Sequence, residues 1–273
     1  MISVIQLGSI DYPTGLRLQQ RLVELRKQAR IGDVVLLLEH PPVITLGRNA
    51  KAANIVASPQ LLAGENVEVF ESDRGGDVTF HGPGQLVAYP IFDLRGMSSD
   101  RGKSLGAVEY VRRLEEVLIR TCADFGIPSK RIPGLTGVWA ESRAVEEKPG
   151  SAGDGGSSGP IEAKIAALGV HISRAVTSHG FALNVNIDLK YFKLIVPCGL
   201  PLRRVTSMEK ELGRQLALEE VAHSVSRNFG LVFQSQMLWL EDLDSLLHTA
   251  VGVPLKIPPA LRRIHHEEDP FLA

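Results

Sequence analysis

Cys198 sits in Pro197-Cys198-Gly199-Leu200-Pro201, a run that continues neither a strand nor a helix. A thiol in a rigid, glycine-flanked loop is open to a reactant, and Gly199 leaves a backbone N–H for a developing oxyanion. An ordinary structural turn accounts for the same five residues. A free thiol of pKa ~8.5 is mostly protonated at neutral pH, so attack on a carbonyl needs a base or a cation beside it. Lys164 is one candidate. It opens Lys164-Ile165-Ala166-Ala167-Leu168-Gly169-Val170, and its parity with Ala166, Leu168, Val170 and Ile172 predicts an ammonium on the apolar side of a strand. A cation there is costly without a partner, although a lysine snorkelling from a strand end satisfies the same pattern. His171 and His179 lie in the same block and read either as general bases or as packed core histidines. Cys122 falls four after Leu118 and three before Phe125, a small hydrophobe on a helix stripe.

The densest local signal is Arg74-Gly75-Gly76-Asp77-Val78-Thr79-Phe80-His81-Gly82-Pro83-Gly84. Its glycines remove side chains where something approaches the backbone, and free N–H groups there suit a carbonyl or an anion. Alternation puts Val78 and Phe80 on one face and Asp77, Thr79 and His81 on the other. A hairpin with turn glycines explains the glycine content equally well. Neither a Walker loop nor a G-x-G-x-x-G fingerprint is present, so nucleotide binding gains no support. No histidine or cysteine pair has metal-ligand spacing, and no metal or cofactor is expected. Lys190, Lys193, Arg203 and Arg204 flank Cys198 and form either a cationic rim or plain solvated surface.

These residues need a scaffold, and 273 residues with 44% hydrophobic and 22% charged content suffice for a core. A net charge of -1 gives no global electrostatic case for nucleic acid or membrane binding. No apolar run approaches the ~18 residues of a membrane span. The start reads directly into Val4-Ile5-Gln6-Leu7 rather than a signal or transit peptide, and two cysteines make no disulfide framework. The expected location is cytoplasmic, or mitochondrial in a eukaryote.

Leu18, Leu22, Leu25 and Ala29 predict a helix after Tyr12-Pro13. Val34 to Leu38 and Gln85 to Leu94 read as strands buried on both faces. Residues 104–125 predict a helix with Leu105, Val108, Val111, Leu114, Leu118, Cys122 and Phe125 on its stripe, stopped by Gly126 and Pro128. A strand-rich block covers 164–187, ending with Phe181, Leu183, Val185 and Ile187 on one face and Ala182, Asn184 and Asn186 on the other. Helices are expected around Leu218–Phe229 and Leu238–Leu247. The Gly/Ser-rich stretch within 142–161 reads as a flexible insertion between strands of one sheet, inside a catalytic domain spanning 1–256. Residues 257–273 read as a solvated tail.

Taken together these residues resemble the octanoyltransferases of lipoate biosynthesis, also called lipoyl(octanoyl) transferases or lipoate-biosynthesis protein B. The resemblance rests on Arg74 to Gln85, Gly137-Val138-Trp139, Lys164 to Gly169, Ser178 to Asn184 and Pro197-Cys198-Gly199, and runs from about Val4 to Phe229. It implies an α+β single domain of mixed β-sheets with flanking helices, like the catalytic domain of biotin and lipoate protein ligases. It implies an acyl-thioester on Cys198 and a Lys164 that lowers the thiol pKa and moves a proton. It implies an acyl site lined by Arg74, Gly75, Gly76, Asp77, Val78, Thr79, Phe80, His81, Ala167, Leu168, Gly169, Gly180, Phe181 and Ala182. The implied donor is octanoyl-acyl carrier protein, and the implied acceptors are a lysine of lipoyl domains of 2-oxoacid dehydrogenases and of glycine cleavage H protein. The protein is expected to be a monomer. An ATP-dependent ligase of the same fold, using no cysteine, and a non-catalytic acyl-carrier or lipoyl-domain binding protein are the alternatives. The Gly/Ser insertion between Trp139 and Lys164 is the main departure from the family pattern.

Overall fold

The computed structural model describes residues 1–98, 102, 104–142, 161–196 and 204–249. In chain order they form β1 (Ile2–Ser9), α1 (Tyr12–Lys27), β2 (Asp33–Glu39), β3 (Val43–Leu46), α2 (Pro59–Gly64), β4 (Glu68–Glu71), β5 (Val78–His81), β6 (Gln85–Ile91) and α3 (Ala107–Asp124). There follow β7 (Ser129–Ile132), β8 (Leu135–Ser142), β9 (Ile161–Ser173), β10 (Val176–Asn184), β11 (Arg204–Val205), α4 (Met208–Leu212), α5 (Leu218–Phe233), β12 (Met237–Leu240) and α6 (Leu243–Thr249). Among these residues one mixed sheet runs β12-β1-β2-β6-β10-β9-β8-β7, with β11 pairing in parallel on β9, and a second sheet runs β4-β3-β5.

A strand buried on both faces must be covered on both, and the large sheet is. On β2, Val35 and Leu37 join a core beneath α3 and α5, while Val34, Leu36 and Leu38 join a second core with Leu18, Leu22 and Leu25 of α1. Helix α1 starts where Asp11 accepts a hydrogen bond from the Thr14 N–H at 2.8 Å, with Pro13 in the first turn. It stops before Ala29. The small sheet has its own core of Ile44, Val78 and Phe80, closed by α2 and the turn at Leu189–Leu194. The chain is therefore an α+β fold of mixed sheets with flanking helices. No helix among the described residues is long and apolar enough to cross a membrane.

Three expectations change. Val108 is 77% exposed, and the buried stripe of α3 turns instead through Tyr110, Leu114, Val117, Leu118, Thr121 and Cys122. Leu238 to Leu240 form strand rather than helix: Met237–Leu240 pairs in parallel with Ile2–Ile5 and covers the edge of β1. Only Leu243 onward is helical, because the unpaired backbone edge outweighs the weak helical pattern of so short a segment. The glycine-rich segment makes no hairpin. Strand β5 pairs with β3, β6 pairs with β2 and β10, and Gly82-Pro83-Gly84 carries the chain from one sheet to the other. Strands β8 and β9, flanking the Gly/Ser-rich stretch, do pair antiparallel. The stretch itself and the expected tail at 257–273 lie outside the described residues.

Candidate active site

On the α1 side of the large sheet, small residues leave a floor without large side chains. Ala182 pairs with Val87 on one side and Ala167 on the other, and Gly180 pairs with Gly169. The roof is the segment after β4. Gly75 donates its N–H to the Val170 carbonyl at 3.0 Å, and a Cβ on Gly169 would lie 2.6 Å from the Gly75 oxygen, so only a glycine there lets the roof descend. A cleft lies between them. Of the residues expected at the site, Arg74, Gly76, Asp77, Val78, Thr79, His81, Ala167, Leu168, Gly169, Gly180, Phe181 and Ala182 line it. Gly75 and Phe80 do not. Gly75 rests on Val170, and Phe80 stacks on Tyr191 at 4.8 Å inside the small core.

Arg74 is a clamp for this roof. Its guanidinium donates to the carbonyls of Thr45, Gly75 and Asp77 and to Thr45 Oγ1, all within 3.1 Å. From the other side Asp73 accepts from His179 Nε2 at 2.7 Å and lies 3.2 Å from His171 Nδ1. The hydrogen bond from His179 holds the Asp73 carboxyl below the usual carboxylate range. His171 and His179 thus pin the roof to the ends of β9 and β10.

Sequence reasoning missed Tyr12, Val87 and Tyr89 as lining residues and left His179 undecided. The hint was Glu39-His40-Pro41-Pro42 at the end of a buried strand. Burial pushes His40 down to about 4 and His81 to about 3, so both are neutral at pH 7. His40 Nδ1 donates to the Ile10 carbonyl at 2.7 Å, which leaves Nε2 to accept from the Tyr89 hydroxyl at 2.6 Å. His81 Nδ1 donates to Gln85 Oε1 at 2.7 Å, and its Nε2 faces the Thr45 hydroxyl at 3.4 Å. The Tyr12 hydroxyl donates to Ser72 Oγ at 2.8 Å. The polar atoms of Tyr12, Tyr89 and His81 face partners outside the cleft lining, so these side chains present carbon to the cavity. Its chemistry suits an apolar chain. With both nitrogens facing partners and burial pushing it down to about 3, His81 is a weak base.

His40 and His81 make stability depend on pH. The unfolded chain binds protons at these two residues below about 6.5 while the folded chain does not, so stability falls as pH drops from 6.5 toward 4. Urea unfolding at pH 7 and pH 4.5 should differ by about 3 kcal/mol or more, at ~1.36 kcal/mol per pKa unit. Equal stabilities at the two pH values would contradict the neutral assignment.

Lys164 does not follow the strand's simple alternation. Val138 pairs with Ala166 but Trp139 pairs with Lys164, so β9 carries one extra residue, Ile165, at a bulge. Ile165 and Ala166 both enter the core under α3 and α5. Lys164 is thereby turned to the opposite face, the one bearing Ala167 and the cleft. The expected apolar side is corrected: the ammonium lies 5.3 Å from the centre of the Trp139 ring, on a residue 8% exposed. Lys164 is three positions along β9 from Ala167 and is not itself a lining residue.

Cys198, with Pro197, Gly199 and Arg203, lies outside the described residues. The chain on either side is anchored to the site. Asp77 accepts from Asn54 Nδ2 at 2.7 Å, and the Asn54 carbonyl accepts the Val196 N–H at 2.7 Å. Beyond the loop, Arg204 and Val205 pair with Ala163 and Lys164, and Thr206 donates its N–H to the Lys164 carbonyl at 2.9 Å. Of the expected cationic rim, Lys190 pairs with Asp188 at 3.1 Å, and Lys193 and Arg204 are exposed. Cys122 is fully buried, with its thiol pushed up to about 12 by burial. No group of metal-ligating side chains stands together among the described residues.

The model of the lipoyl protein ligase A/B catalytic domain family matches residues 11–230. An octanoyltransferase of Koribacter versatilis is 58% identical over 98% of this chain and 98% of its own. The chain belongs to the octanoyltransferases. A second octanoyltransferase, from Acidobacterium capsulatum, is 55% identical over 90% of this chain and 96% of its own. As an octanoyltransferase family member, the chain is an acyltransferase. Its fold is similar to that of a bipartite lipoate protein ligase from Thermoplasma acidophilum, studied with its E2 lipoyl domain, with TM-score 0.63 and 15% identity over 91% of this chain and 89% of that one.

Proposed function

We propose that this protein moves an octanoyl group from octanoyl-acyl carrier protein to a specific lysine of lipoyl domains of 2-oxoacid dehydrogenases and of glycine cleavage H protein, through a thioester on Cys198. The observation that carries the reading is the bulge at Ile165, which turns Lys164 to the cleft face beside the strand that leaves the Cys198 loop. Both ends of that loop are tied to the site, at Asn54 and at Ala163, which supports a thiol within reach of the cleft.

The reaction balances without an external energy source. The Cys198 thiolate attacks the carrier thioester; the carbon–sulfur bond to the carrier breaks, and the carrier thiol leaves with a proton from Lys164. The acceptor lysine, as a neutral amine, then attacks the Cys198 thioester. The amide forms, sulfur leaves, and Lys164 receives the amine proton. Thioester exchange is nearly neutral and amide formation is downhill. The chain binds at ~0.8 kcal/mol per buried methylene. The protein acts as a monomer in this scheme.

Intact mass after mixing with octanoyl-acyl carrier protein tests the reading. One octanoyl group on the protein, discharged by a lipoyl domain, is expected. Transfer that requires ATP and leaves the protein unmodified would mark it as a ligase instead. Binding without any adduct or product would mark a non-catalytic carrier-binding protein.

Donor and acceptor domains of this kind are acidic, and Lys190, Lys193, Arg203 and Arg204 are proposed to steer them. Raising ionic strength from about 0.05 to 0.5 M should raise KM for the carrier several-fold and change kcat by less than about twofold. A KM indifferent to salt, or a salt effect unchanged by charge reversal at Arg203 and Arg204, rejects that placement.

A further inference from the structure

We infer that Gly137 and the buried carboxylate of Glu115 form a device that positions the Lys164 ammonium; the inference rests on the activator role proposed above for Lys164. Gly137 lies in β8, two residues before Trp139, on the face that Lys164 shares. Its φ is +131°, a conformation open to glycine and strained for any L side chain. A Cβ placed there would stand 2.5 Å from Lys164 Cε, 3.3 Å from Nζ and 3.0 Å from the Ala166 carbonyl oxygen. Ordinary carbon contacts are about 3.5–4.0 Å, so a methyl group would push the lysine tip aside by about an ångström. The Lys164 tip therefore fills the volume that a side chain at 137 would take, and the Trp139 ring flanks it 5.3 Å from Nζ.

Something must hold Gly137 in that backbone state. Its N–H donates to Glu115 Oε1 at 3.1 Å. Glu115 projects from α3 as the one charged residue on that helix's buried face, and its side chain is fully buried. Its other oxygen accepts from Arg112 at 2.7 Å and from Arg131 at 3.1 Å. Helix packing alone asks for no carboxylate at this position, since a buried charge is stabilising only when fully partnered. Glu115, paired with two arginines and with an oxygen left for one backbone amide, links α3 to the residue that makes room for Lys164.

The test uses alkylation of the full-length protein by iodoacetamide as a function of pH, alongside octanoyl transfer. Cys122 is buried with its thiol raised, so the profile reports Cys198. Gly137→Ala should move the alkylation midpoint up toward the free-thiol value of ~8.5 and lower kcat about 10- to 100-fold, with KM for the carrier little changed. Glu115→Gln, whose single carbonyl oxygen cannot serve both the arginines and the Gly137 amide, should move the midpoint in the same direction. Glu115→Ala should shift it in the same direction as Gly137→Ala, and gives an independent reading should Gly137→Ala fail to fold. A midpoint unmoved in both Gly137→Ala and Glu115→Ala, while Lys164→Ala shifts it, would overturn the positioning role and leave the activator intact. A midpoint unmoved in Lys164→Ala would overturn the activator reading and this inference with it.

Discussion

Cys198→Ser is expected to lower octanoyl transfer by about 10³-fold or more and to abolish the mass increase of one octanoyl group. A serine hydroxyl is a poor leaving group and a poor nucleophile at neutral pH, so both halves of the exchange stall. The matching control is Cys122→Ala. Its thiol has no exposed surface and its ionisation is pushed up to about 12, so turnover should stay near wild type. The core should lose about 1–2 kcal/mol from the small cavity left beneath α3. Stability and activity thus separate on the two cysteines. An adduct mapped by peptide mass spectrometry to Cys122, or full activity in Cys198→Ser, would remove the covalent mechanism.

Lys164→Ala carries the second large effect. A cation near the thiol favours thiolate, and the same group can return the proton when sulfur leaves. Removing it should lower kcat about 10²- to 10⁴-fold at pH 7. Raising the pH to about 9 should recover part of the loss, because the thiol of reference pKa ~8.5 then ionises by itself. Lys164→Arg keeps a charge that does not deprotonate, so alkylation of Cys198 should regain most of its wild-type midpoint while turnover stays low. The recovery stops short of complete because the Lys164 tip already fills the space beside Gly137 and the Trp139 ring, which displaces the larger guanidinium. Both readings come from one series of pH titrations on three proteins. A single alkylation pKa shared by wild type, Lys164→Ala and Lys164→Arg would dismiss Lys164. His179 would not replace it easily, because its Nε2 is bound to Asp73 at 2.7 Å at the far end of the cleft floor.

Much of the frame was legible from local pattern. The apolar runs at Val34–Leu38 and Gln85–Leu94 demanded cover on both faces, and the two cores on either side of the large sheet supply it, although the second strand ends at Ile91. The alternation of Phe181, Leu183 and Val185 against Ala182 predicted which side chains would meet the helices, and Ala182 was left to floor the cleft. Where short-range pattern was weak, it misled. Val108 and Leu238 to Leu240 were assigned by spacing alone, and long-range pairing of β12 with β1 settled the second.

The residue types and their order determined by themselves the family, the acyl-transfer chemistry and most of the small residues of the cleft, because those depend on what each side chain is. Tertiary structure decided what depends on where a side chain points. The bulge at Ile165 reverses the face of Lys164, and a bulge is a mismatch between two strands, invisible in either one alone. Likewise Tyr12, Tyr89 and His81 carry polar groups, yet they wall the cleft with carbon because Ser72, His40 and Thr45, all from distant segments, face their hydroxyls and the His81 Nε2. Strand parity is a property of a segment; register and hydrogen-bond satisfaction are properties of pairs, and only the fold brings the pairs together.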